Sequence, residues 1–389
     1  MKKVGFRLKQ QGIGQSHAKI ILIGEHSVVY GQPAIALPLP NVKLKATLTA
    51  DTTSASHVVK CSWAQGNLTS LPESMAGIQK LINTLMERFN GQDDGWTLEI
   101  DSMLPSERGM GSSAATAIAI VRAFFDLYET PLDRETLLKL ADVEEQITHR
   151  SPSGLDAATT SSDQPIYFIK GQPGQPIELN LHATMVIADT GVKGATKETI
   201  MAVRELLATD PQTTQQRLAH LGKLTERART ILSRDDPNEL GRVLNLAQDE
   251  LTELNVSDTA LERLIQVARQ NGALGAKLTG GGRGGCMFAL AKTALGARKL
   301  AGILKQHGAV AGMQIAHPGR DAGFVGSADV IGASPITYEP WYEAGAKVPR
   351  ELTMDEIHEL VERFGDAALR CKHAGFQIIE IHGAAGCIP

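Results

Sequence analysis

Between Glu73 and Asn90, the apolar residues Met75, Ile78, Ile82, Leu85 and Phe89 recur at three- and four-residue spacing, which predicts a helix with one buried face. Further helical stretches are expected at roughly 196–208, 215–233, 238–254, 258–271 and 293–307; in the third, Leu240, Leu244, Ala247, Leu251 and Leu254 keep one face apolar. Another helix opens at Ser112 and runs through Ala114, Ala115, Ile118, Ala119 and Phe125, directly after a glycine-rich segment. Shorter apolar runs read as strands: Lys19 to Ile23 ending at Gly24, Ala34 to Leu39 closed by Pro38 and Pro40, Met185 to Ala188, Ala273 to Leu278, and Cys286 to Leu290. The first two are expected to pair. Mixed strands and helices predict a two-layer α+β fold rather than a doubly wound parallel sheet, and no repeat of fixed period is present.

Length and composition narrow the choice of function. At 389 residues the chain suggests two or three domains. Hydrophobic residues at 42% and charged residues at 21% are ordinary for a soluble globular protein. No apolar run reaches the ~18–20 residues of a membrane span. Met1 to Gln15 lacks an apolar stretch followed by a small-residue cleavage site, so the cytoplasm is expected. A formal charge of −4 supplies no broad basic field, which argues against nucleic acid as a partner. Cys61, Cys286, Cys371 and Cys387 are far apart and form no CxxC pair, so zinc and redox roles are disfavoured.

Three segments carry candidate chemistry. Arg108-Gly109-Met110-Gly111-Ser112-Ser113 places glycines and hydroxyls at a helix start, where free amide groups and the helix dipole favour an anion. Ser112 or Ser113 could cap the helix or offer an oxygen to Mg²⁺. No Walker A lysine follows, and the run is equally consistent with a capped helix after a tight turn. Gly280-Gly281-Gly282-Arg283-Gly284-Gly285 holds five glycines in six residues, more than a hairpin loop requires. Asp156 follows Pro152-Ser153-Gly154, with Glu145 eleven positions earlier at the end of an expected helix; alone, Asp156 is equally a solvated turn former.

Taken in order, these segments and Lys19-Ile20-Ile21-Leu22-Ile23-Gly24-Glu25-His26-Ser27-Val28-Val29-Tyr30-Gly31 resemble the superfamily of galactokinases, homoserine kinases, mevalonate kinases and phosphomevalonate kinases. The Gly24-Glu25-His26 run followed by Ser27 to Gly31 is most similar to the mevalonate kinases, over roughly residues 12–310. The resemblance implies an N-terminal domain (1–180) with a left-handed βαβ unit, a C-terminal ferredoxin-like domain (181–310), and a site between them. It implies ATP and Mg²⁺ as cofactors, mevalonate as the small-molecule acceptor, and a homodimer, as relatives commonly form. By position it implies Asp156 as the base, Lys19 as the cation beside the substrate hydroxyl, and Ser113 and Glu145 as Mg²⁺ ligands. It further implies nucleotide contacts from Arg108, Gly109, Met110, Gly111, Ser112 and Ser113, and acceptor contacts from Glu25, His26, Thr190, Gly280, Gly281 and Gly282. For His26 a packing role is the competing reading. Phosphomevalonate, galactose and homoserine are the alternative acceptors.

Beyond about Ala309 the text changes. Met313 to Arg320, Arg350 to Met354 and Ala374 to Gly386 resemble the old yellow enzyme family, flavin-dependent ene-reductases on a (β/α)₈ barrel. Only about two of eight barrel units are represented. Gln314 matches a flavin-contacting glutamine and His382 one of a histidine pair, but Ala385 breaks that pair, so residues 311–389 are expected to be an inactive segment of incomplete barrel. A fused reductase is the alternative. Val310 to Ala316 is apolar enough to serve as the last edge strand of the kinase sheet.

Overall fold

The computed structural model describes residues 8–62, 64–104, 108–149, 153–316, 331–332, 350–373 and 378–382. Strand β1 (Gln11–Ile23) lies antiparallel to β2 (Ala34–Asp51), so the two short runs expected to pair are the ends of much longer strands. Pro38 and Pro40 do not close β2. The pairing jumps from His17–Lys43 to Ala18–Leu39, which leaves Pro40 to Val42 in a bulge. On its opposite edge β2 carries partners only at 34–36 and 44–51, so neither proline interrupts a ladder there.

Strands β3 (His57–Lys60) and β4 (Gln65–Asn67), helix α1 (Ala76–Phe89) and strand β5 (Gly95–Ser102) follow. Because β3 runs parallel to β5 with α1 between them, they form a βαβ unit. Trp96, Leu98 and Ile100 alternate inward from β5 against α1, α2 (Ser112–Leu127) and α3 (Arg134–His149). Helix α2 lies close against β1 because Gly14 leaves room: a Cβ there would sit 1.9 Å from the Ala119 carbonyl oxygen. Short helix α4 (Leu155–Thr160), β6 (Ile166–Phe168) and β7 (Gln175–Pro176) complete this half, in the sheet order β4-β3-β5-β2-β6-β7 with β1 on β2.

The second half is built on β8 (Thr184–Asp189), helices α5 (Thr196–Thr209), α6 (Pro211–Leu232), α7 (Pro237–Glu253) and α8 (Thr259–Gln270), strands β9 (Gly275–Leu278) and β10 (Cys286–Ala291), helix α9 (Ala294–Gln306) and β11 (Val310–Ala316). The spatial order β11-β8-β10-β9, antiparallel throughout, is that of a ferredoxin-like sheet. Asp210, Asp236 and Asp258 cap α6, α7 and α8 by accepting amide hydrogens of Thr213, Glu239 and Leu261, and Pro211 and Pro237 fill the first helical position. Those caps start α6 earlier than its apolar spacing suggests.

The tail joins this sheet at its edge. Val310 and Ala311 pair with Asp189 and Ala188, as expected of a replacement edge strand. Strands β12 (Ile331–Gly332) and β13 (Arg350–Glu351) pair with each other, and α10 (Met354–His373) leads to β14 (Ile378–His382), which lies parallel to β11 along Gly312 to Ala316. Strand, helix and parallel strand make one β/α unit; no closed barrel occurs among the described residues. Ala385, Cys387 and the other residues beyond 382 lie outside the described set.

Candidate active site

Three backbone segments converge at the seam between the two sheets. Gly109 and Gly111 both adopt positive φ, +76° and +77°, and lead into α2. The Lys19 amide donates to the Met110 carbonyl at 3.0 Å, which ties β1 to this loop. From the other half, Gly280 lies so close to Gly109 that a Cβ on Gly280 would be 2.7 Å from the Gly109 Cα. Thr279 and Ile21 exchange two hydrogen bonds, of 2.9 and 3.1 Å.

At this meeting point stands the expected pair. Lys19 Nζ is 2.9 Å from Asp156 Oδ1 and donates to the Gly109 carbonyl at 3.2 Å. Lys19 is 1% exposed whereas Asp156 is 37% exposed, so the ammonium is fixed by packing while the carboxylate faces open space. Asp156 is not on a loop as its turn-like context suggests; it sits in the first turn of α4, behind Gly154 at φ +83°. Gly111 is required here, because any Cβ would lie 2.9 Å from Lys19 Cε.

Ser113 is in the first turn of α2, and its hydroxyl donates to Glu144 Oε1 at 2.5 Å rather than to Glu145. Thr148 donates to the same oxygen at 2.6 Å, while Glu144 Oε2 is buried without a partner. Glu145 is buried one residue away; desolvation first, then the charges of Asp156, Glu144 and Asp142, push its carboxyl up to about 8. Among the described residues no group of three or more His, Cys, Asp or Glu side chains forms a ready metal cluster. Ser112 gives its carbonyl to Thr116, and Met110 is buried in the first core.

On the far side of Lys19, Glu25 pairs with Lys277 of β9, and neither side chain is more than 1% exposed. Lys277 Nζ also donates to the Leu278 carbonyl at 2.6 Å and lies 5.4 Å from the Phe288 ring centre. Burial pushes Glu25 upward and Lys277 downward, each restrained by the other's charge. His26 adopts φ +59°, uncommon for a residue with a side chain, and its Nε2–H donates to the Gly281 carbonyl at 2.9 Å. Burial is the main cause that lowers its pKa to about 4, so the ring is neutral.

Thr190 donates its hydroxyl to the Gly285 carbonyl at 2.8 Å and accepts from the Val192 amide at 3.2 Å, which shapes the end of the second glycine run. Gly282 adopts φ +82° against the Val256 carbonyl. Arg108, expected with the nucleotide loop, turns toward the other half: its Nε is 3.1 Å from Asp189 Oδ2. Arg283 also has positive φ and is held by carbonyls of Val256 and Asn255. Glu144, Lys277 and Asp189 have structural roles here that their motifs alone do not reveal; the adjacent acids Glu144-Glu145 and a lysine inside the apolar run Ala273 to Leu278 were the available signals.

The GHMP kinases N terminal domain family matches residues 77–163, and the GHMP kinases C terminal family matches 228–310. Mevalonate kinase of Thermococcus onnurineus is 32% identical over 298 residues, which span 72% of this chain and 89% of that protein. The chain belongs to the mevalonate kinase family. Among solved structures, L. major mevalonate kinase in complex with R-mevalonate aligns with a TM-score of 0.66 at 26% identity, covering 78% of this chain and 94% of its own. Mevalonate kinase from methicillin-resistant Staphylococcus aureus aligns with a TM-score of 0.58 at 33% identity, covering 77% and 96%. Like other GHMP kinases, this mevalonate kinase family member is an ATP-dependent small-molecule kinase. The NADH:flavin oxidoreductase / NADH oxidase family matches residues 280–389. The front of that match overlaps β10 and α9, which belong structurally to the kinase sheet. No helix among the described residues is long and apolar enough to cross a membrane.

Proposed function

We propose that the chain transfers the γ-phosphoryl group of ATP to the primary hydroxyl of mevalonate, yielding 5-phosphomevalonate and ADP in the cytoplasm. The observation that carries this reading is the contact of buried Lys19 with open Asp156 beside the Gly109–Gly111 loop. Asp156 accepts the hydroxyl proton as the oxygen–phosphorus bond forms and the bond to the β-phosphate oxygen breaks. Lys19 stabilises the negative charge that develops on the attacking oxygen. The amides at the start of α2 receive the phosphates. Glu25 and His26 border the acceptor, His26 as a neutral hydrogen-bonding group.

Ser113 and Glu145 would hold Mg²⁺. Their donor set fits: a hydroxyl oxygen and a buried carboxyl whose neighbouring charges are mostly acidic, Asp156, Glu144 and Asp142. Mg²⁺ needs few protein oxygens when phosphates and water complete its shell, so one hydroxyl and one carboxyl suffice without a larger cluster of ligands among the described residues. Bound there, it would supply counter-charge to the β- and γ-phosphates.

A coupled assay of ADP release with mevalonate, phosphomevalonate, galactose and homoserine tests the proposal. Release that depends on mevalonate alone is expected. Faster turnover of any other acceptor would replace the reading.

A further inference from the structure

Arg108 occupies an unusual place for a residue that opens a phosphate loop. Its own carbonyl packs against the second half, where a Cβ on Gly285 would lie 3.0 Å from it, and the next carbonyl, of Gly109, accepts from Lys19. The side chain meets Asp189 at the end of β8, next to Thr190. Asp189 is itself fixed by the Gly191 amide at 2.9 Å. Only one edge of the guanidinium is used. Nη1 has no hydrogen-bond partner although it is buried, and the side chain as a whole is 19% exposed.

A guanidinium nitrogen withdrawn from water without a partner is costly, and a carboxylate matches its planar fork. One carboxylate, Asp189, holds the Nε side and orients the plane. The remaining edge suits a second carboxylate of single charge. The anchor, Asp189, adjoins Thr190, one of the residues the resemblance implies at the acceptor, which favours the acceptor over the triphosphate as claimant. The proposed acceptor does carry a carboxylate, at the opposite end of a short chain from the hydroxyl that Asp156 deprotonates.

We infer that Arg108, oriented by Asp189, receives the carboxylate of the acceptor and thereby sets the enzyme's preference for hydroxy acids over uncharged polyols. The inference rests on the mevalonate reading above and assigns Arg108 to the acceptor rather than to the nucleotide.

The test compares kcat/KM for mevalonate and for the triol in which a hydroxymethyl group replaces the carboxylate. In the unmodified chain, mevalonate is expected to be preferred by about 30-fold or more, the effect of a charge-assisted hydrogen bond. Arg108→Met should collapse that preference to below about 3-fold, with the KM for ATP unchanged. Arg108→Lys keeps the charge without the fork and should fall between, which guards against a Met variant that fails to fold. A preference that survives in both variants, or a rise in the KM for ATP, overturns the assignment. An unmodified chain that is inert toward mevalonate sinks the functional reading and this inference with it, whereas an active chain with an unaltered preference in the variants sinks the inference alone.

Discussion

Replacing Lys277 by Met removes the cation from a pair whose side chains are 0% and 1% exposed, so solvent screening cannot soften the loss. Breaking such a pair from one side costs about 3–5 kcal/mol, because the other charge is left buried and unpaired. Glu25 already has one oxygen, Oε2, without a partner, and in the variant it would have lost the strongest influence holding its carboxyl down. Its folded pKa would then stand still further above the unfolded value of about 4.3. A group raised in this way favours the fold below its unfolded pKa and loses that contribution as pH rises through the folded pKa. The variant should therefore be destabilised most near about pH 8 and least near about pH 5. Glu25→Gln in the same chain should recover much of the loss, since a neutral amide can be buried at lower cost. Urea unfolding at both pH values measures this. A loss below about 1 kcal/mol, or one equal at both pH values, would refute the idea that the pair is dry and ionised.

Gly111→Ala is expected to lower kcat by about 100-fold, since a misplacement of roughly 1 Å at the reacting groups has that effect and the new methyl group meets Lys19 at φ +77°. Steady-state kinetics beside a thermal melt distinguishes this from unfolding. His26, with a pKa near 4, is neutral across the working range, so the pH profile of the KM for mevalonate between about pH 5 and 8 should have the same shape in the unmodified chain and in His26→Gln, and a step lost in that variant would contradict this. A chain ended after Ala316 should keep its KM for ATP yet aggregate more readily by light scattering, because β14 no longer covers the outer edge of β11.

Helices and glycine runs were legible because each has a local cause. The apolar spacing of 238–254 and the Asp-Pro start of α7 agree, and the helix lies there. β2 was misjudged at its end, since Pro38 and Pro40 are punctuation in isolation and harmless where only one ladder passes. Lys19 and Asp156 were legible only through their family pattern; nothing local to either predicts a 2.9 Å contact between residues so far apart in the chain. The roles of Lys277 and Glu144 were hidden for the same reason. Each depends on a partner brought close by tertiary packing, Glu25 from the other half and Ser113 from a neighbouring helix.

The most direct measurement is the turnover of Asp156→Asn with ATP and mevalonate. Asp156 is partly exposed, and the Asn side-chain oxygen can still accept from buried Lys19, which also keeps its hydrogen bond to the Gly109 carbonyl, so the variant should stay folded with a modest drop in melting temperature and still bind ATP. Its kcat should fall by about 10²–10⁴-fold, the contribution of a positioned base. A folded variant that turns over mevalonate at nearly the original rate would contradict the account.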